Sequence, residues 1–146
     1  MQILKQHIRD LIDKGIVTPL PPAVSHTIEQ ILVENFPLKE AGGLIDWDRF
    51  ANSISCEWMA LDDTEAVRWA HLTTAGKHSK AVLFYNSDEP CLLGNFDDVI
   101  RNLDSLIWSA PGPRIVIGVD LVTDVPQLSK DVIEFNGIDK LLGRPA

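Results

Sequence analysis

Ile3, Leu4, Ile8, Leu11 and Ile12 recur at helical spacing with Lys5, Arg9, Asp10 and Asp13 on the opposite side, and Gly15 supplies a stop. The pattern predicts an amphipathic helix over residues 2–14. Pro19, Pro21 and Pro22 then break the chain and start a second helix, with Val24, Ile28, Ile31 and Leu32 on its inner face and an end before Pro37. Gly42-Gly43 marks a turn, and the run IDWDRF around Trp47 and Phe50 has no periodicity that assigns it.

Residues 53–61 (SISCEWMAL) read as a strand, and the DDTE that follows is a turn or a helix start with Thr64 as its cap. VRWAHLT fits either period. The strand is preferred: TAGKH then closes a hairpin onto KAVLFYN, and the middle of the chain becomes an antiparallel meander. As a helix, the same segment would stop at Gly76.

The clearest signal lies between Lys80 and Trp108. Ala81 to Tyr85 form a short continuous apolar run, expected of a strand buried on both faces. SDEP turns the chain and CLL returns it. Asn95 is placed to cap the next helix, with Asp97 and Asp98 in its first turn, Asp98 completing a capping-box exchange, and Phe96, Val99, Ile100, Leu103, Leu106 and Ile107 along one stripe.

After Pro111-Gly112-Pro113, Ile115, Ile117, Val119 and Leu121 alternate with Val116, Gly118 and Asp120, predicting a further strand. TDVPQLSKD reads as a connection, VIEFNG as a short edge strand and IDKLL as a terminal helical turn. Together these elements predict one α+β domain over residues 1–146. Its centre is a mainly antiparallel sheet carrying the N-terminal helix pair and one further amphipathic helix.

At 146 residues and 45% hydrophobic composition, the chain can bury roughly 70% of its unfolded surface, enough for a self-sufficient core. The net charge of −8 argues against nucleic acid or anionic lipid as partner, because neutralising phosphates requires clustered Lys and Arg. A basic protein is the partner that this charge suits. No apolar run reaches membrane-span length, and the N-terminus lacks a secretory pattern, so a cytoplasmic protein is expected. Cys56 and Cys91 lack metal-ligand spacing and read as buried reduced thiols.

Catalytic motifs are missing. Neither GxGxxG nor GxxxxGK[ST] occurs, and GPRIVIGVD sits in the wrong context to cradle phosphate. His7, His26, His71 and His78 form no zinc motif, although His71 and His78 would approach each other across the expected hairpin. Neither cofactor, metal nor catalytic residue is assigned.

The carboxylates are the candidate chemistry. Asp62, Asp63 and Glu65 form one group, Asp88 and Glu89 form a turn pair with no capping role, and Asp120 and Asp124 are alternates. Such residues steer a basic partner while aromatic side chains anchor it. Core packing is the expectation for Trp47, Trp58, Trp69 and Trp108, with one of the four exposed.

The stretch Leu20-Pro21-Pro22-Ala23 leading to a helix that ends at Asn35, and the strand, turn and strand leading into Asn95-Phe96-Asp97-Asp98, resemble the SUKH superfamily. The likeness covers about half the chain. It departs at Asn35, which is followed by Phe36-Pro37 instead of Gly, and in the strand region after Pro111. Many bacterial members of that superfamily resemble immunity proteins. The resemblance implies a non-catalytic protein that neutralises a cognate bacterial toxin, and a basic nuclease cleft is the target that exposed carboxylates would suit. The competing expectation is a small enzyme or ligand-binding domain with its site between sheet and helices, using His71 and a nearby carboxylate. A structural subunit with an exposed apolar patch is a third.

Overall fold

The computed structural model describes residues 6–39, 45–107, 114–123, 125–136 and 140–146. The first helix, α1 (Gln6–Asp13), buries Ile8 and Leu11. It ends in a Schellman arrangement: the Ile16 amide donates to the Leu11 carbonyl and the Gly15 amide to Ile12, with Gly15 at φ +74°. The chain continues as a short strand, β1 (Val17–Pro19), whose Pro19 is tolerated at a sheet edge. The second helix, α2 (Pro22–Asn35), starts on Pro22 and buries Ser25, Ile28 and Leu32.

Next come β2 (Ile54–Glu57), a 3-10 turn over Trp58–Ala60, and α3 (Asp63–Ala70). Another 3-10 turn, Thr74–Lys77, leads into β3 (Lys80–Phe84) and β4 (Leu92–Asn95). Helices α4 (Phe96–Arg101) and α5 (Leu103–Leu106) follow, then β5 (Arg114–Val122), β6 (Val125–Asn136) and β7 (Lys140–Gly143). The seven strands form one antiparallel sheet in the order β1-β4-β3-β5-β6-β7-β2. The α+β class with a central antiparallel sheet is what the hydrophobic pattern predicts.

The sheet is covered on both faces. On the first, α1, α3, α4 and α5 pack on Ala81, Leu83, Tyr85, Val116, Ile133 and Phe135. On the second, α2 and the segment around Ile45 and Trp47 pack on Val82, Phe84, Ile115, Ile117 and Val132. The N-terminal helices therefore straddle the sheet, because β1 inserts between them as an edge strand. β3 is buried on both faces, as its unbroken apolar run predicts.

Several local readings need correction. Residues 63–70 are helix, not strand: Asp62 and Glu65 exchange side-chain and backbone bonds as a full capping box, and Ala66, Val67 and Ala70 share one buried face. Asp62, not Thr64, is the cap. TAGKH is a 3-10 turn capped by Thr73, so no hairpin forms there and the middle meander is lost. Asn95 stands at the α4 N-cap but makes no capping bond to the helix backbone. Its amide donates to Asp98 Oδ2 at 3.2 Å while its oxygen accepts from Lys80. The expected single helix breaks at Asn102.

Residues 132–136 of the VIEFNG run belong to a twelve-residue interior strand that begins within the supposed connection, Gly137 lies outside the described residues, and KLL opens strand β7. Of the tryptophans, Trp47 is buried and Trp58 and Trp69 are half-buried, so none of the described three is exposed. Trp108, the Gly42-Gly43 turn and Pro111-Gly112-Pro113 lie outside the described residues. Among the described residues, no helix is long and apolar enough to cross a membrane.

Candidate functional site

The fold scatters the predicted carboxylates. Glu65 N donates to Asp62 Oδ1 at 2.8 Å and Asp62 N to Glu65 Oε1 at 3.1 Å, so both side chains are engaged in starting α3. Asp63, between them in sequence, is exposed and outside that exchange. The Asp88-Glu89 turn is not the free pair expected. The Asn86 side chain accepts from both of its amides, Ser25 Oγ donates to the Glu89 carbonyl at 2.8 Å, and Glu89 is only 6% exposed.

Asp88 remains exposed, but its turn is tied to α2 on the second face, whereas α3 packs on the first. The two acidic groups therefore do not make one surface. Asp120 is bonded to His78, and Asp124 lies outside the described residues.

His78 sits over a β-bulge. Ile117 pairs with Val132 and Val119 with Leu128, so three residues of β6 oppose Gly118 alone. Ser129 Oγ donates to the Gly118 carbonyl at 2.6 Å and accepts from Asp131 N at 3.1 Å, replacing ladder bonds that the bulge removes. The bulge brings Asp131 to the imidazole: His78 Nε2 lies 2.7 Å from Asp131 Oδ2, and Nδ1 lies 3.2 Å from Asp120 Oδ1. Burial lowers the imidazole pKa, but the bonds to Asp131 and Asp120 and their negative charge outweigh it, and the net shift is upward.

His71, at the end of α3, places Nδ1 3.0 Å from the Gly76 carbonyl and Nε2 2.7 Å from Asp97 Oδ1. His71 and His78 do share a depression, of about 390 Å³, with Phe96, Asp97 and Arg101. They meet across a 3-10 turn and not a hairpin. All four ring nitrogens face acceptors of the protein itself. The arrangement works as two struts, holding the 71–78 segment to α4 and to the sheet.

A second depression, of about 310 Å³, opens where the Trp58–Ala60 turn meets α3, α4 and α5. Trp58, Leu61, Ala66 and Ile100 form its apolar lining, Met59 stands beside it at 62% exposure, and Asp63, Arg101 and Asp104 supply charge. Trp58 packs edge-on against Phe135 of β6, with ring centroids 5.6 Å apart. Its indole Nε1 is buried and has no acceptor among the described residues. Arg101 Nη1 lies 3.5 Å from Asp98 Oδ1, which offsets part of its charge. Asp104 Oδ1 accepts from Ser105 N.

No protein-family model, curated protein or solved structure matches this chain. The geometry therefore carries the functional reading.

Sequence reasoning missed five contributors. Asp97 looked like a dipole-favoured helix start and is the partner of His71. Asp131 lay in a segment read as the end of a connection. Trp58 and Met59 were folded into an expected strand, although an aromatic-Met pair just before the DDTE helix start was the available signal. Glu134 is fully buried and accepts from Ile45 N at 3.0 Å and Trp47 Nε1 at 2.9 Å, so it holds the 45–50 segment to β6. Cys56, half-buried on β2, has its thiol pushed up to about 11 by burial, against a backbone bond from Leu141. Burial likewise raises the Cys91 thiol. Neither has the depressed pKa of a reactive thiol.

Proposed function

We propose that this chain is a non-catalytic, cytoplasmic protein-binding domain that neutralises a basic partner, a cognate bacterial toxin of nuclease type. The observation that carries the reading is the groove beside Trp58, where exposed Met59 and a half-buried aromatic meet the carboxylates Asp63 and Asp104. An interface uses such residues in two ways: apolar anchors supply affinity, and charge steers association. A net charge of −8 extends that steering over the whole molecule.

Of the carboxylates expected to meet the partner, Asp63 fits this surface directly, and Asp104 joins it. A nuclease cleft built to hold phosphates would present the Lys and Arg that match. The likeness of Leu20–Ala23 and Asn95–Asp98 to the SUKH pattern points the same way. The test is to mix the protein with the product of the neighbouring gene and measure affinity across a salt series. Tight binding that weakens with salt is expected, and the absence of any complex would refute the reading.

A second reading, a small enzyme or ligand-binding domain, is favoured by the His71–Asp97 contact inside the depression that His71 shares with His78. It requires His71 to release one of its two acceptors when ligand enters. A His71→Gln variant that keeps full affinity for the protein partner supports the first reading over this one.

A further inference from the structure

We infer that the groove beside Trp58 receives an arginine side chain from the basic partner. This rests on the protein-binding reading above and names the group that the groove recognises.

Three features select that group. The apolar wall formed by Leu61, Ala66 and Ile100 suits a long methylene stem, and Met59, flexible and mostly exposed, can close over it. The Trp58 ring offers the aromatic surface on which a planar guanidinium stacks, and a guanidinium gives up hydration more readily than an ammonium does. Asp63 and Asp104 bring two negative charges to the groove, and Arg101, the cation among its described lining residues, is drawn toward Asp98. The guanidinium pairs with those two carboxylates.

Alternative occupants fit less well. An acidic peptide would meet Asp63 and Asp104 with like charge, and a purely apolar side chain would leave both carboxylates partly desolvated without a partner.

The experiment uses the full chain, labelled with nitrogen-15, and follows the Trp58 indole N–H resonance. The probes are three capped tripeptides, acetyl-Gly-Arg-Gly-amide and its Lys and Glu counterparts. The arginine peptide is expected to shift the resonance saturably, the lysine peptide to bind several-fold more weakly, and the glutamate peptide to leave it in place. Asp63→Asn combined with Asp104→Asn should weaken the arginine response at least five-fold, and Met59→Ala should also weaken it. These positions are exposed, so loss of folding does not confuse the result.

No response to the arginine peptide, an equal response to the glutamate peptide, or an unchanged response in the double Asn variant would overturn the inference. The parent reading fails separately. If the neighbouring gene product binds but the double Asn and Met59→Ala variants leave its affinity unchanged, the arginine groove is wrong while the neutralising function stands. If the arginine peptide binds as expected but no basic protein does, the groove stands and the neutralising function falls.

Discussion

Replacing Gly118 by alanine tests the bulge and its histidine together. A Cβ at this position would stand 2.4 Å from His78 Cδ2, 2.8 Å from His78 Cγ and 3.1 Å from the Ala75 carbonyl oxygen. The imidazole must move, and any movement that relieves the clash also disturbs its 2.7 Å contact with Asp131. Overpacking of this kind costs about 1–3 kcal/mol. Losing a charge-assisted hydrogen bond to a ring only 14% exposed adds about 1.5–3 kcal/mol. The bond to Asp120, whose side chain is 63% exposed, adds almost nothing because solvent screens it.

Alanine recovers about 0.5–1 kcal/mol of backbone entropy relative to glycine. The net loss is therefore about 1.5–5.5 kcal/mol, a sizeable part of the 5–15 kcal/mol typical of a domain. Urea denaturation measures it. Removing the ring as well, in Gly118→Ala with His78→Ala, relieves the clash and should make the double variant more stable than the sum of the single losses. A loss below about 1 kcal/mol for Gly118→Ala, or strict additivity in the double variant, would refute the argument.

Other outcomes follow from the same geometry. Because the folded His78 pKa lies above its ordinary 6.5, its contribution is fully present below that pH and is lost as pH rises through the folded value. Urea stability should therefore decline on the alkaline side of 6.5 in the wild type and less so in His78→Gln. Glu134→Leu leaves the Ile45 amide and the Trp47 indole without their buried acceptor and should cost about 3 kcal/mol or more, with the Trp47 environment altered in fluorescence. Asp62→Ala removes the capping box and should lower stability by about 1 kcal/mol while leaving partner affinity unchanged; Asp63→Ala should do the reverse. Calorimetric binding and denaturation on both variants distinguish the roles.

Where periodicity and burial agreed, the elements were legible in the chain. Ala81–Tyr85 has apolar residues on both faces because both faces of β3 are covered, and α2 is bracketed by Pro22 and Pro37. The failures came where two periods fitted equally. Residues 67–73 satisfy a strand pattern, and the Asp62-Glu65 box that decides for helix competes in the sequence with Thr64, which also reads as a cap. β6 was cut short because Pro126, harmless opposite Leu121 near the tip of the β5–β6 hairpin, looks like a break.

The candidate site was less legible than the fold. Its carboxylates divide by neighbours far apart in sequence: Asp120 meets His78 across 42 residues, and the Glu89 backbone is tied to Ser25 across 64. No local pattern records such pairings. Asp63 could be named from sequence because exposure at a helix start is a local property. Trp58 could not, since its role depends on where α4 and α5 lie.

The rate at which the protein associates with the neighbouring gene product tests the central claim most directly. Stopped-flow association at low salt should slow at least ten-fold for Asp63→Lys combined with Asp104→Lys, with urea stability held, and the difference should shrink as salt is raised. An association rate unchanged by reversing both charges would contradict the assignment of this groove as the partner-binding surface.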